Sequence, residues 1–361
     1  MTDNLWDAVI VGAGPAGAVF AAELAHRCPQ KKLLLLDGQD REHPKPCGGL
    51  LAPDAQKLLA GLHLTLPNTV LADPQIFAVD TVDLQSGQRR LYQRHYLNMD
   101  RYAFDRYLLS RVPDTVRIVR ARCTEIKEQN GIYTLKTNGG QTFRTTDVIG
   151  ADGGNSRVRR MLMGHLPYTY TAIQEWYPES ADTAELPHYA CIFDAETSDS
   201  CSWLIRKNGC VIFGGAFAKT GCHAAFEAQR ARLEAYFGIR FGTPEKREAC
   251  PVTSPRRIRD FTPGRPHVYL IGEAAGFISA SSFEGISSAM QSGRMLADAF
   301  AKGKSSADIF RLYRKNTRGL RAKLLCKIGK RAILCNSTLR FWIMKSGVQS
   351  IPRLDGEGIR I

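Results

Sequence analysis

An apolar run, Trp6-Asp7-Ala8-Val9-Ile10-Val11, leads directly into Gly12-Ala13-Gly14-Pro15-Ala16-Gly17, and this junction constrains the fold more than any other stretch of the chain. A helix-like segment, Ala18 to Arg27, follows, and then Lys32-Leu33-Leu34-Leu35-Leu36-Asp37. The pattern predicts a strand, a tight turn, a helix and a second parallel strand. Each part answers a demand of a dinucleotide. Gly12 lets the chain leave the strand sharply, Gly14 lets backbone approach a pyrophosphate, and Gly17 lets the helix pack close to the sheet. Pro15 and Ala16 open the helix, where the N–H that proline lacks would have no internal partner. Asp37 lies twenty residues beyond Gly17, where a carboxylate accepts from a ribose 2′-OH and repels a 2′-phosphate. The expected ligand is FAD or NAD(H), not NADPH. A glycine turn alone is common and often purely structural; here the strand, the helix and the acid all accompany it.

Two further strand ends carry the same signal. Asp147-Val148-Ile149-Gly150 runs into Ala151-Asp152-Gly153-Gly154-Asn155-Ser156, and Val268-Tyr269-Leu270-Ile271 runs into Gly272-Glu273-Ala274-Ala275-Gly276, with Glu284-Gly285-Ile286 opening a later helix. Ligands of open α/β sheets sit beyond the carboxyl ends of strands. Three such ends from distant parts of the chain can line one extended ligand. Between them, Ala52–Leu62 and Asp100–Arg111 read as helices, and Gln75–Leu84 with Arg89–Leu97 as paired strands around Ser86-Gly87.

With 361 residues, 44% of them apolar, the chain has material for two closely joined domains. No stretch approaches the ~20 apolar residues that span a bilayer, and the first strand starts too near Met1 for a signal peptide, so the expected location is cytoplasmic. Ten cysteines with no Cys-x-x-Cys pair support neither a disulfide framework nor a zinc site. The net charge of +14 is concentrated near the end: residues 311–345 hold eleven Lys or Arg, with no acid between Ile309 and Leu354. On a helical projection Lys323, Lys327 and Lys330 share one face, and Leu320, Leu324, Leu325 and Ile328 another. Two readings stand side by side: a basic segment lying on an anionic membrane surface, peripheral on its inner face, or a terminal helix docked on the protein with a solvated basic side. Nucleic acid is disfavoured because aromatic residues suited to base stacking are sparse there.

The ordered set Gly12-x-Gly14-x-x-Gly17, Lys45-Pro46-Cys47-Gly48-Gly49, Gly150-Ala151-Asp152-Gly153 with Ser156 and Arg159, and Gly272-Glu273-Ala274-Ala275-Gly276 with Glu284-Gly285-Ile286 covers residues 10–294. It resembles the FAD-dependent oxidoreductases of the p-hydroxybenzoate hydroxylase fold, within them the geranylgeranyl reductase branch, and most closely a small bacterial CbrA-like subgroup that matches nearly end to end, basic tail included. The resemblance implies a mixed α/β architecture: a Rossmann-like, three-layer FAD-binding domain from 1–70, 98–165 and 252–304, an interleaved β-sheet substrate domain from 71–97 and 166–251, and a basic C-terminal helical region, 305–361. It also implies roles. Gly12, Gly14 and Gly17 would receive the FAD pyrophosphate and Asp37 the adenosine ribose; Arg101 would reach toward FAD; Asp152 and Gly153 would lie near the pyrophosphate, unless Asp152 is only a helix cap. Glu273 stands where the family has an Asp that binds the ribityl chain. N–H groups around Gly285 and Ile286 would stabilise negative charge on reduced flavin. The Cys47-Gly48-Gly49 loop would lie beside the flavin ring, with Cys47 either a proton donor or a soft packing contact. Of the family's substrate-side Tyr-x-Trp-x-Phe-Pro-Lys run only Trp203 and Lys207 match; by sequence alone, an indole in mid-strand reads as core.

The expected activity is reduction of a carbon–carbon double bond in an isoprenoid or other apolar lipid. With no second glycine-rich unit for it, NAD(P)H would serve only as a transient donor bound near the flavin, or the donor is something other than NAD(P)H. Two alternatives remain at this point: a flavin-dependent monooxygenase, and a non-catalytic flavin-bearing protein attached to membrane or RNA.

Overall fold

The computed structural model describes residues 5–38 and 45–352. Its first sheet has a parallel core. Leu5–Val11 lies between Leu33–Leu36 and Thr142–Gly150, Arg117–Val119 extends it beyond Leu33–Leu36, and Val268–Leu270 extends it beyond Thr142–Gly150. These runs are almost continuously apolar because a parallel sheet covered on both faces has no polar side to present; Ala8, Val9, Ile10, Leu34, Leu35, Val148 and Ile149 are all fully buried. An antiparallel hairpin, Cys123–Gln129 with Ile132–Thr137, pairs with the first half of Thr142–Gly150 and leaves its second half for Val268–Leu270.

Register decides where this sheet can bind anything. Val11 lies opposite both Leu36 and Gly150, Leu36 opposite Val119, and Gly150 opposite Leu270. Five parallel strands therefore end on one row, and the three glycine turns leave the sheet side by side. Helix Pro15–Arg27 packs along helix Ile286–Lys302. A Cβ on Gly293 would come within 2.5 Å of the Ala16 carbonyl oxygen, so this close crossing depends on a glycine that the local pattern did not single out.

The second sheet is mainly antiparallel, in the order Lys246–Thr253, Thr169–Pro178, Cys210–Phe217, Cys201–Lys207, Tyr189–Phe193, Ile76–Asp83, Gln88–Asn98 and Leu50–Leu51. Only Tyr189–Phe193 with Ile76–Asp83 runs parallel. Helix Cys222–Phe237 closes a separate core of Phe213, Phe217, Phe226 and Leu233 on one face. The other face turns toward the ends of the first sheet. Helix Pro53–Gly61 and helix Arg101–Ser110, capped by Asp100 accepting from the Ala103 N–H at 2.7 Å, connect the two regions. The chain is thus a mixed α/β fold with two sheets and a C-terminal helical region.

That region comprises helices Ser306–Asn316, Arg318–Cys335 and Ser337–Ser346; residues 353–361 of the expected tail lie outside the described residues. It is docked on the protein. Arg340, 2% exposed, donates to Asp83 at 3.1 Å and to the Leu334 carbonyl at 2.8 Å. Arg331 donates to the Tyr170 hydroxyl and to Asp199, each at 2.7 Å, and Lys323 pairs with Asp54. The expected two-faced projection needs correction: Leu320 and Leu324 are buried, but Leu325 is 41% exposed, while Lys327 is half-buried. Docking against Asp54, Tyr170, Asp199 and Asp83 on separate elements, not intrinsic amphipathicity, sets which face turns inward. No helix among the described residues is long and apolar enough to cross a membrane.

Candidate functional site

The row of strand ends opens into a cavity of about 640 Å³ that runs from the glycine turns to the inner face of the second sheet. Gly12, Ala13, Gly14, Pro15 and Ala16 line its first end. Gly12 has φ +109°, and a Cβ there would overlap the Ala151 carbonyl oxygen. Gly17 does not line the cavity; a Cβ on it would overlap the Gly12 carbonyl oxygen, so it serves the packing beneath the turn. Gly14 is different. Its φ of −70° suits any residue, and nothing in the protein lies within 4 Å of where its Cβ would be. Neither backbone geometry nor packing within the chain calls for glycine there; close approach of a ligand does.

Asp37 does not open onto the cavity as expected. It is 3% exposed, and Arg106 holds it at 2.6 and 3.4 Å with Arg120 at 4.0 Å, although its neighbours Leu36 and Gly38 do line the cavity. Arg106, two turns into a helix with no motif of its own, carried no sequence signal. Arg122 and Arg157 also line this end. Arg122 donates to the Gly38 carbonyl at 2.9 Å and Arg157 to the Cys123 carbonyl at 3.3 Å.

At the second turn, Asp152 and Gly153 reach the cavity wall, but the Asp152 carboxylate is spent as a cap. It accepts from the Ser156 hydroxyl at 2.5 Å and from the N–H groups of Arg157 and Val158 at 2.7 and 3.1 Å. Burial raises its pKa against those bonds. Arg159 is buried and ties three segments together, donating to the carbonyls of His165, Ala274 and Asp260 at 2.8, 3.1 and 3.0 Å. It braces the third turn from behind, and burial brings its guanidinium down to about 10.

Glu273 lines the cavity, and its carboxylate pairs with Lys45 and accepts from the Thr253 N–H at 2.8 Å. Burial disfavours charge on Lys45, but Glu273 outweighs it and the pKa rises. Direct reach of Glu273 to a ribityl chain therefore competes with this pair. Gly272 lies beneath the turn, with φ +58°, its N–H donating to the Ser292 hydroxyl at 2.9 Å. Gly285 and Ile286 line the cavity at the start of helix Ile286–Lys302, where the first N–H groups have no intrahelical acceptor.

Cys47, Gly48 and Gly49 form the opposite wall. The Cys47 Sγ accepts from the Gly49 N–H at 3.4 Å, and the Arg101 guanidinium lies beside it while also donating to Asp105 at 2.9 Å. Burial works against the Arg101 charge; Asp105 and Cys47 together more than offset it, and its pKa is raised. Cys250 stands nearby, its thiol pushed up to about 11 by burial.

Lys207, expected on the substrate side, instead lies behind this loop. It is 2% exposed, and its ammonium donates to the carbonyls of Gly48 at 2.9 Å and Met99 at 2.7 Å. A Cβ on Gly49, at φ +66°, would overlap both the Lys207 Nζ and the Met99 carbonyl oxygen. Trp203 leaves the core reading: it is half-buried and lines the cavity with Tyr96, Tyr189, Ile278 and Phe283. Gly214 makes room for its ring, since a Cβ there would lie 2.7 Å from the indole. The Trp203 Nε1 is buried without a hydrogen-bond acceptor, and a buried indole N–H ordinarily has one. The cavity thus runs from the glycine turns, with open space at Gly14, to an aromatic end at Trp203.

Comparison with known proteins agrees with this architecture. Residues 7–177 match the family described as Lycopene cyclase protein. Among solved structures, the chain is similar to a geranylgeranyl bacteriochlorophyll reductase-like protein from Thermoplasma acidophilum, with TM-score 0.77 and 15% identity over 95% of this chain and 92% of that one. It is also similar to PqsL, a probable FAD-dependent monooxygenase from Pseudomonas aeruginosa, with TM-score 0.68 and 16% identity over 96% and 100%. At these identities the likeness shows a shared fold. Protein CbrA from Escherichia coli O6:H1 is 41% identical over 358 residues, 97% of this chain and 95% of the relative. With that identity running through both sheets and the C-terminal helices, the chain belongs to the CbrA family.

Proposed function

We propose that the cavity holds FAD and that the protein is a flavin-dependent oxidoreductase acting on an isoprenoid or other lipid-like substrate, whose carbon–carbon double bond it reduces. The observation that carries the reading is the single row on which Val11, Gly150 and Leu270 end, because it brings three glycine turns to one cavity whose Gly14 wall is open to a ligand. FAD bound there would supply the two-electron carrier that passes hydride to the substrate. Gly12 to Ala16 would hold the pyrophosphate through backbone N–H groups and the start of helix Pro15–Arg27. Gly285 and Ile286 would present a second helix start to negative charge accumulating on the ring.

The Cys47 loop would face the reacting side. Arg101 and the Gly49 N–H hold the Cys47 sulfur in place, so that its proton can complete the reduction at the substrate carbon. The aromatic end formed by Tyr96, Tyr189, Trp203 and Phe283 offers ring faces against which an apolar chain can pack. The names of the matching family and of the Thermoplasma relative, lycopene and geranylgeranyl, support an isoprenoid. NAD(P)H would act as a transient donor, since the chain has no second Gly-x-Gly-x-x-Gly.

The test is direct. The purified protein carries FAD by its visible spectrum, and the reduced protein, incubated without oxygen with a total lipid extract, produces a species two daltons heavier. A product formed only with oxygen, and bearing an added oxygen atom, replaces this reading with hydroxylation.

A further inference from the structure

A second cavity, of about 540 Å³, lies at the junction of helices Ser306–Asn316 and Arg318–Cys335. Arg311, Arg314, Lys315, Arg318 and Arg321 line it, and no carboxylate does. Arg311 pairs with Asp308, but among the described residues no carboxylate pairs with Arg314, Lys315, Arg318 or Arg321. Arg321 is held below the usual arginine pKa by burial and by the charges of Arg314 and Arg318. Cations gathered this closely repel one another and favour an anion between them.

The rim of this cavity is apolar. Ile258 is 69% exposed and Leu325 41%. From there the outer face of helix Arg318–Cys335 continues through Ala322, Cys326, Gly329 and Ile333, all exposed. Across Asn336, helix Ser337–Ser346 turns Arg340 and Met344 inward and leaves Leu339, Trp342 and Ile343 in solvent. Spacings of three and four residues put those three on one face. Trp342 is 59% exposed, with the Lys345 ammonium 5.2 Å from its ring. A helix docked by its charged arginine and exposing Leu, Trp and Ile reverses the usual arrangement. An apolar strip with an indole, flanked by lysines and arginines, is the surface that lies in a lipid headgroup layer. Helix Arg318–Cys335 also lies close to the strands that carry Tyr189 and Trp203 of the first cavity, Lys330 near Cys191 and Cys335 near Cys201.

We propose that this face docks the protein on an anionic lipid bilayer, phosphate-bearing headgroups occupying the arginine-lined cavity while Leu339, Trp342 and Ile343 enter the headgroup–acyl boundary. The inference stands apart from the flavin reading, since vesicle binding requires neither FAD nor turnover.

The experiment is co-sedimentation of the full chain with vesicles of phosphatidylcholine alone and of an equimolar mixture with phosphatidylglycerol, over a salt series. The variants are Arg314→Gln/Arg318→Gln and Trp342→Ser/Ile343→Ser, whose side chains are exposed, with thermal unfolding as the check on folding. The mixed vesicles are expected to bind and the neutral ones not, with salt weakening the association. Removing two cations lowers partitioning about 30-fold. The apolar variant lowers it as well, and the blue shift of tryptophan emission on vesicles disappears with Trp342. Absence of binding at low salt, equal binding to neutral vesicles, or variants that bind like the parent would overturn the proposal. So would inorganic phosphate filling the cavity without any vesicle binding, RNA binding that needs the arginines but not Trp342, or a lipid-free dimer that Trp342→Ser dissociates.

Discussion

Replacing Lys207 with methionine tests how the Cys47 loop is held. Lys207 is buried with its ammonium on two carbonyls and no carboxylate at salt-bridge distance among the described residues, and burial brings its pKa from 10.5 to about 8. Below pH 8 both the folded and the unfolded chain carry this proton, and the folded state bears the full cost of the buried charge. Between about 8 and 10.5 the unfolded chain binds more protons than the folded one, so the stability contribution of Lys207 rises with pH. A depression of this size corresponds to about 3 kcal/mol, of which roughly 2–3 kcal/mol is recovered between pH 7 and pH 10. Lys207→Met removes the buried charge but leaves the Gly48 and Met99 carbonyls unsatisfied, at ~1–3 kcal/mol each. The two effects nearly offset at neutral pH. At pH 10 only the loss remains, and the variant is less stable than the parent by an additional ~2–3 kcal/mol. Urea unfolding of both proteins in matched buffers measures this, and the difference between them cancels every other titrating group. A gap that stays constant from pH 7 to pH 10 would refute the assignment of a protonated, costly amine behind the loop.

Three further outcomes are expected. Gly12→Val, which forces a β-branched side chain onto φ +109° and into the Ala151 carbonyl, lowers FAD affinity ~100-fold or more, since strain of ~1–3 kcal/mol adds to the overlap; normal flavin content in the purified variant contradicts it. Cys47→Ala slows substrate reduction by pre-reduced, anaerobic protein at least ~100-fold if the thiol delivers the proton, and unchanged turnover removes that role. Arg340→Met strands a buried Asp83 and costs ~3–5 kcal/mol in denaturant unfolding, whereas Arg340→Met with Asp83→Leu recovers most of it; an undisturbed single variant means the tail is not docked through this pair.

Much of the site could be read from local chemistry. Strand, glycine turn and helix start are properties of a dozen neighbouring residues, so Gly12, Gly14, Gly153 and Gly285 lie at the turns and helix start that the pattern indicated and line one cavity; the Cys47 loop, which local pattern did not place, forms its opposite wall. Local pattern also indicated the helix beginning at Asp100, which caps it by accepting from the Ala103 N–H. It did not reveal partners. Asp37 meets Arg106, 69 residues away; Glu273 meets Lys45, 228 residues away; Lys207 meets Gly48, 159 residues away. A carboxylate or amine has the same chemistry wherever it lies, and only packing decides whether it faces a ligand or a neighbour.

By itself the sequence determined the class of the fold and where its glycine turns fall, because steric demands at glycine and apolar periodicity act over one or two turns of chain. Only the tertiary structure decided that five strands end on one row, that Trp203 faces the cavity while Lys207 supports the Cys47 loop from behind, and that the basic tail turns Arg340 inward and Trp342 out. Those choices depend on register and on contacts between segments far apart in the chain, and free energy gained by burying one face is available only when another element is there to cover it.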